Sequence, residues 1–131
     1  MQSLEQTFRA LADRTRLRIL CILRGGETCV GDLVQLLGVS QPVASRHLAY
    51  LRRAGLVRVR RAGHWAFYSL AIPSGDFENS LLHCIDAARD ESSELQEDVG
   101  RAALRRQSGG CCPEQDLQAP ASCADQSERI R

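Results

Sequence analysis

The sequence predicts a mainly α-helical domain with a single β-hairpin, and three observations carry that expectation. Apolar residues recur at intervals of three and four from Leu4 to Leu51, and again from Phe77 onward. Between Leu56 and Leu70 the interval drops to two, the period of a half-buried strand. Glycines stand where the pattern changes, at Gly25-Gly26, Gly38, Gly55 and Gly63.

Ser3 is placed to cap a first helix carrying Leu4, Phe8, Leu11 and Ala12. A second helix starts near Asp13, carries Leu17, Leu20, Cys21 and Leu23, and stops at Gly25-Gly26. Val30, Leu33, Val34 and Leu37 mark a short helix ended by Gly38. Ser40 caps the next helix, which tolerates Pro42 because first-turn amides have no helical partner, and Gly55 closes it. Leu56-Val57-Arg58-Val59-Arg60-Arg61 alternates apolar residues with Arg, Ala62-Gly63 turns the chain, and His64 to Leu70 is aromatic and strand-like. Pro73-Ser74-Gly75-Asp76 restarts a helix whose stripe of Phe77, Leu81, Ile85, Ala88, Leu95 and Val99 runs on to Arg106. Beyond Gln107 large apolar side chains almost disappear, too few to order the segment unaided. The expected organisation is one domain over residues 1–95, its last helix reaching 106, and a flexible cysteine-containing tail over 107–131.

The net charge of +1 conceals a split. Residues 1–70 hold eleven Arg against four acids, a balance of +7, whereas residues 71–131 hold six Arg against twelve acids, a balance of −6. All 17 basic residues are Arg, whose planar fork suits phosphate and base edges better than a point charge does. A basic half points to nucleic acid. A hydrophobic content of 44% excludes a wholly disordered chain. No run approaches the roughly 18 to 20 apolar residues that span a bilayer, so no membrane partner is expected. The first residues lack a basic start and an apolar run, so the expected location is cytoplasmic and reducing, with the six cysteines as thiols. No Ser-His-Asp set, phosphate-cradling loop or carboxylate pair is found, and catalysis is not expected.

Two helices joined by the turn Leu37-Gly38-Val39-Ser40 make a helix-turn-helix, and the hairpin after them supplies a wing. On a helical wheel of residues 40–54, Ala44, Leu48 and Leu51, with His47 beside them, face inward. Pro42, Arg46, Ala49 and Arg53 face outward, flanked by Gln41, Ser45 and Tyr50. That face suits a major groove: Gln41, Ser45 and Arg46 can bond base edges, Val43 can meet a thymine methyl, Ala49 permits close approach and Arg53 reaches phosphate. Arg60, Arg61 and His64 of the wing complete the expected DNA-binding set.

At these residues the sequence resembles the ArsR/SmtB arsenic- and metal-responsive repressors. The resemblance covers roughly residues 4 to 95 and rests on three ordered runs: Leu11 to Leu20, Ser40 to Leu48, and Leu51 to Val57 with Arg60 to Trp65. It implies a winged-helix homodimer with first and last helices at the interface, and an operator released when a thiophilic or metal ligand binds. Val43-Ala44 departs from the family, which usually has a polar residue followed by Val or Ile there. Two-fold symmetry predicts a palindromic double-stranded operator with half-sites about 34 Å apart. Unpartnered as it stands, the stripe from Phe77 to Val99 also calls for a second subunit.

The family's arsenic site places paired cysteines in the helix before the recognition helix. Here Gly31 follows Cys29-Val30 where the second thiol would stand, and His83 has no second His downstream to make the family's zinc site. The tail remains, with Cys111, Cys112 and Cys123. Trivalent arsenic or antimony, As(III) or Sb(III), favours three thiolates, and Gly109, Gly110 and Pro113 allow the turn that adjacent cysteines need. Closing the loop to Cys123 costs roughly 2 kcal/mol, against a binding scale of ~10 kcal/mol for thiolate-metal sites. Cys84 could join only through a helix break near Ser92-Ser93 or from another subunit, and Cys21 reads as core. The expected function is a repressor released by As(III) or Sb(III). A thiol redox switch on the same fold and a thiol-rich buffering or interaction protein stay open beside it, as does a tail whose thiols share no role.

Overall fold

A computed structural model describes residues 2–109 of the chain. Its elements are α1 (Gln2–Leu11), α2 (Arg14–Arg24), β1 (Thr28–Cys29), α3 (Val30–Leu37), α4 (Gln41–Arg53), β2 (Val57–Ala62), β3 (Trp65–Leu70), α5 (Asp76–Asp90) and α6 (Ser93–Gln107). The strands form an antiparallel sheet in the order β1-β3-β2, the hairpin being β2 and β3. This is the winged helix-turn-helix arrangement, mainly α with a small sheet, that the periodicities predict.

Local chemistry starts and stops the helices. Asp13 Oδ2 accepts the Arg16 amide at 3.0 Å at the head of α2, and Ser40 Oγ accepts the Val43 amide at 3.4 Å at the head of α4. Gly38 ends α3 at φ 67°, a left-handed conformation that a side chain resists, and so makes the tight turn between α3 and α4 possible. The cap of α3 is a sulfur: Cys29 Sγ accepts the Asp32 amide at 3.4 Å. Cys29 therefore has a structural role that its sequence position did not disclose. The core gathers Ile19, Leu20 and Ile22 from α2, Leu33 from α3, Leu48 and Leu51 from α4, and Tyr68 from β3, all at most 1% exposed.

Two features depart from the expectation. The two-residue β1 is one, too short to show any period. The other is the single helix expected from Asp76 to Arg106, which is broken at Glu91-Ser92. Ser92 Oγ accepts the Leu95 amide at 3.3 Å and caps a separate α6. That helix folds back against α2, α3 and α5, burying Leu95 and Ala102 and packing Val99 on the core. The apolar stripe is thus divided between the two helices, and much of it is satisfied within the subunit. Among the described residues the large apolar side chains left exposed are Leu4 (41%) and Phe8 (57%) of α1, Phe77 (38%) of α5, Leu104 (67%) of α6 and Ile72 (72%) before α5, with the Phe8 and Phe77 rings edge to face at 6.1 Å. The paired rings of Phe8 and Phe77 make α1 with α5 a candidate dimerisation face.

Polar bonds hold α6 in place. Asp98, 1% exposed, accepts Arg18 Nε at 2.7 Å, Arg18 Nη2 at 2.9 Å and Arg101 Nη2 at 2.6 Å. The two guanidiniums also reach the C-terminal carbonyls of α3, Arg18 those of Leu36 and Leu37 and Arg101 that of Leu36. Arg105 bonds Asp32 and Gln35 on α3. Arg106 donates to the Ile22 and Gly26 carbonyls and to Thr28 Oγ1, plugging the end of α2. A Cβ at Gly25 would stand 2.9 Å from Arg106 Nη1, so the pair Gly25-Gly26 also makes room for that side chain.

Candidate nucleic-acid interface

The outward face of α4 is the one the helical wheel marks. Ala44, Leu48 and Leu51 are buried, while Pro42, Arg46, Ala49, Arg52 and Arg53 are exposed. Val43, Ser45 and Tyr50 flank that face and are half-buried. Gln41 departs from the expectation. As the first residue of α4 it folds its side chain back along the helix, donates from Nε2 to Ser45 Oγ at 2.7 Å, and is only 8% exposed. In this structure Gln41 and Ser45 hold each other, and Gln41 does not stand among the outward residues. Tyr50 is set by two guanidiniums: Arg16 lies 4.1 Å from its ring centroid and Arg53 5.8 Å.

The arginines sort into two sets. Arg9, Arg14, Arg18, Arg24, Arg60, Arg89, Arg101 and Arg105 are ion-paired. Arg16 and Arg106 spend their donors on backbone carbonyls. Arg46, Arg52 and Arg53 of α4 and Arg58 and Arg61 of β2 make no ion pair among the described residues, and all five are exposed. Guanidiniums with this freedom concentrate on the recognition helix and the wing, where phosphates and base edges would meet them.

On the wing this sorting revises the expected set. Arg60 forms a forked pair with Glu27, Nη2 to Oε1 at 2.7 Å and Nε to Oε2 at 3.1 Å, and its guanidinium lies 4.6 Å from the Phe67 ring centroid. Its role is to brace the wing against the loop before β1. Arg61 is exposed without an ion pair among the described residues, and His64 is exposed at the tip beside Gly63, whose φ is 61°. Arg52 and Arg58 join the unpaired set without having been singled out. Their signal was present in the runs Arg52-Arg53 and Arg58-Val59-Arg60, but nothing in the sequence says which Arg finds a carboxylate 33 residues away.

His47 links α4 to the start of α2. Its Nδ1 lies 3.4 Å from Arg16 Nη1 and 3.7 Å from Asp13 Oδ2. Burial holds its pKa below the usual histidine value, and the charges of Arg16 and Arg46 lower it further against the pull of Asp13. The folded state thus favours neutral His47. Its contribution to stability is complete above the unfolded value near 6.5 and is lost as pH falls below it towards the lower folded value. Between pH 7.5 and pH 5.5 the urea midpoint should fall more in the parent chain than in His47→Gln. An equal fall in both would assign the pH dependence to other groups.

The thiols divide as well. Burial pushes the Cys21 pKa up to about 11, so this core residue is a thiol at neutral pH and a poor soft-metal ligand. Cys84 is exposed on α5. Among the described residues no three His, Cys, Asp or Glu side chains are grouped to hold a metal ion. Cys111, Cys112 and Cys123 lie outside the described residues. No helix among the described residues is long and apolar enough to cross a membrane.

Comparison with known proteins places these features in a family context. Residues 13–59 match the family described as bacterial regulatory protein, arsR family. The arsenic resistance transcriptional regulator ArsR1 of Pseudomonas putida is 40% identical over 118 residues, which cover 89% of this chain and 84% of that protein. The arsenical resistance operon repressor of Escherichia coli is 40% identical over 105 residues, 79% of this chain and 88% of that protein. Among solved structures, the homodimeric winged helix-turn-helix DNA-binding domain of Mb0332 from Mycobacterium bovis matches with a TM-score of 0.59 at 31% identity, over 69% of this chain and 81% of that domain.

Proposed function

The chain belongs to the arsR family of bacterial regulatory proteins, DNA-binding transcriptional regulators and not enzymes, and on that premise we propose that it represses an operator until As(III) or Sb(III) is captured by Cys111, Cys112 and Cys123. The observation that carries the DNA-binding half is the sorting of the arginines, which leaves unpaired guanidiniums on the outward face of α4 and on β2. Arg46 is assigned to base edges, Arg53, Arg61 and Arg58 to phosphates, and Val43 and Ser45 to the rim of the groove. The active species is a homodimer joined through α1 and α5, whose exposed Phe8 and Phe77 need cover. A two-fold axis between its recognition helices calls for a palindromic operator.

The inducer half rests on chemistry and connection. Three thiolates suit a soft trivalent ion, and of the described thiols Cys21 is buried and protonated, Cys29 caps α3, and Cys84 stands alone on the exposed side of α5 with no group of three ligands among the described residues. The segment that carries Cys111 and Cys112 follows directly on α6, and α6 is bonded to α3 through Arg101 and Arg105 and through Asp98 with Arg18. The helix α3 leads by one tight turn into α4. A ligand that acts on α6 therefore has a route to the reading head, which it needs in order to favour one state over the other.

The test uses a duplex selected from a random pool by the intact chain. Arsenite and antimonite should release it from the intact chain and leave it bound to a chain truncated after Gln107. Release of the truncated chain by arsenite would place the inducer site elsewhere. Release by peroxide, but not by arsenite under reducing conditions, would replace the reading with a disulfide between Cys111 or Cys112 and Cys123. A chain that binds arsenite but selects no duplex would be a thiol buffer.

A further inference from the structure

We propose that the cleft between α1 and the C-terminal half of α4 seats a phosphodiester of the DNA backbone, so that α1 takes part in operator binding; this rests on the DNA-binding reading above. The cleft has a volume of about 140 Å³ and is walled by Gln6 and Arg9 of α1, Tyr50 and Arg53 of α4, and Ala54. Its polar side chains are two guanidiniums, a phenol and a carboxamide, all able to donate to an anionic oxygen, and no carboxylate lines it. Arg53 makes no ion pair among the described residues. Among the described residues Arg9 is paired only with Glu5, one helical turn away, with both side chains more than half exposed (69% and 54%). Such an exposed pair is weak and yields readily to a phosphate.

The cleft is built, because Arg16 ties its two walls together. Arg16 donates to the Arg9 and Ala10 carbonyls at 2.9 and 2.8 Å, gripping the end of α1, while its guanidinium lies against the Tyr50 ring of α4. Two guanidiniums, from Arg16 and Arg53, thus lie against Tyr50 and a third, from Arg9, lines the same cleft, a concentration of positive charge that an anion relieves. The position fits a backbone contact. Arg53 lies on the outward face with Arg46 and Ala49, seven residues beyond Arg46 and so about 10 Å further along the helix axis. That is where a helix lying in a groove meets the strand at its edge. Phosphate contacts of this kind fix register and orientation without reading sequence.

Arg9→Ala removes the α1 guanidinium and leaves the Arg9 carbonyl on which Arg16 depends. With a duplex selected by the intact chain, the slope of log affinity against log salt should fall by about 1.8 for the two subunits, one phosphate contact each. The preference for that duplex over single-base variants should not change. Replacing flanking phosphates one at a time by neutral methylphosphonate should weaken the parent chain at every phosphate it contacts, and at one position per half-site the penalty should be smaller in Arg9→Ala, where Arg53 alone remains in the cleft. Arg9→Lys should restore most of the slope, and inorganic phosphate should compete with the parent more than with Arg9→Ala. An unchanged slope in Arg9→Ala, or an equal methylphosphonate penalty in both proteins at every position, would overturn the α1 site alone. Failure of the intact chain to select any duplex would instead overturn the DNA-binding reading on which it rests.

Discussion

Arg46→Ala is expected to erase the discrimination between operator and random DNA while leaving the fold as stable as before. Arg46 is exposed on the outward face of α4, makes no ion pair among the described residues, and sits one turn from Ala49, whose small side chain lets the helix approach the bases. A guanidinium bonded to the two acceptors of a guanine contributes about 1–3 kcal/mol of discrimination. A dimer uses two, so the loss is about 2–6 kcal/mol, or roughly 30-fold to 10⁴-fold in specific affinity. Titration by fluorescence anisotropy against the selected duplex and a scrambled one reads this ratio, and the urea midpoint checks that nothing has unfolded. Binding to the scrambled duplex should weaken far less, because Arg52, Arg53, Arg58 and Arg61 keep their charge. If the ratio of specific to scrambled affinity survives in Arg46→Ala, the assignment of Arg46 to base edges is wrong.

Asp98→Ala should produce the largest loss of stability of any single substitution in a polar side chain. The carboxylate is 1% exposed and accepts three bonds from Arg18 and Arg101, and Arg18 is itself only 14% exposed. Removing one partner of a buried pair leaves the other desolvated without its counter-charge, at a cost of about 3–5 kcal/mol. Glu94, 3.3 Å from Arg18 Nε, stays behind and should hold the loss to the lower part of that range. Asp98→Asn keeps one acceptor oxygen and should fall between. Denaturant titration gives the numbers directly. A loss under about 1 kcal/mol for Asp98→Ala would mean that α6 relaxes onto other contacts and is not held by this carboxylate.

Much of this fold is legible because its signals are local. Asp13, Ser40 and Gly38 act within three residues of where they stand, and the four-residue and two-residue periods separate α4 from the wing without knowledge of any partner. The inward and outward faces of α4 follow from the wheel alone, which is why the outward placing of Arg46 and Arg53 is legible. What was missed depends on distance. Gln41 stands within the reading segment, but its amide finds Ser45 one turn on and is withdrawn. Arg60 differs from Arg58 and Arg61 only in having Glu27 in reach across the fold. The break at Ser92 was marked by a stripe without a large apolar residue between Ile85 and Leu95 and by Ser92-Ser93-Glu94, a cap with an acid in the first turn. The long run of helix-forming residues on either side outweighed that mark. A segment whose new helix must turn back onto α2 and α3 announces itself only through those partners.

The separation of unpaired arginines from the acidic helix α5 has a kinetic meaning. With a net charge of +1 the chain is only weakly drawn to DNA as a whole, yet its charge is unevenly placed, since its unpaired guanidiniums are on α4 and β2 while α5 carries four acids against one Arg. In the field of a polyanion such a body experiences a torque more than a pull. It arrives already turned with its reading head forward, and a larger share of its collisions can lead to docking. Salt at physiological strength shortens the reach of that field to about 8 Å, so the alignment happens in the last ångströms of approach. A protein built this way scans many sites without being held at each, because what brings it in face first is orientation and not net attraction.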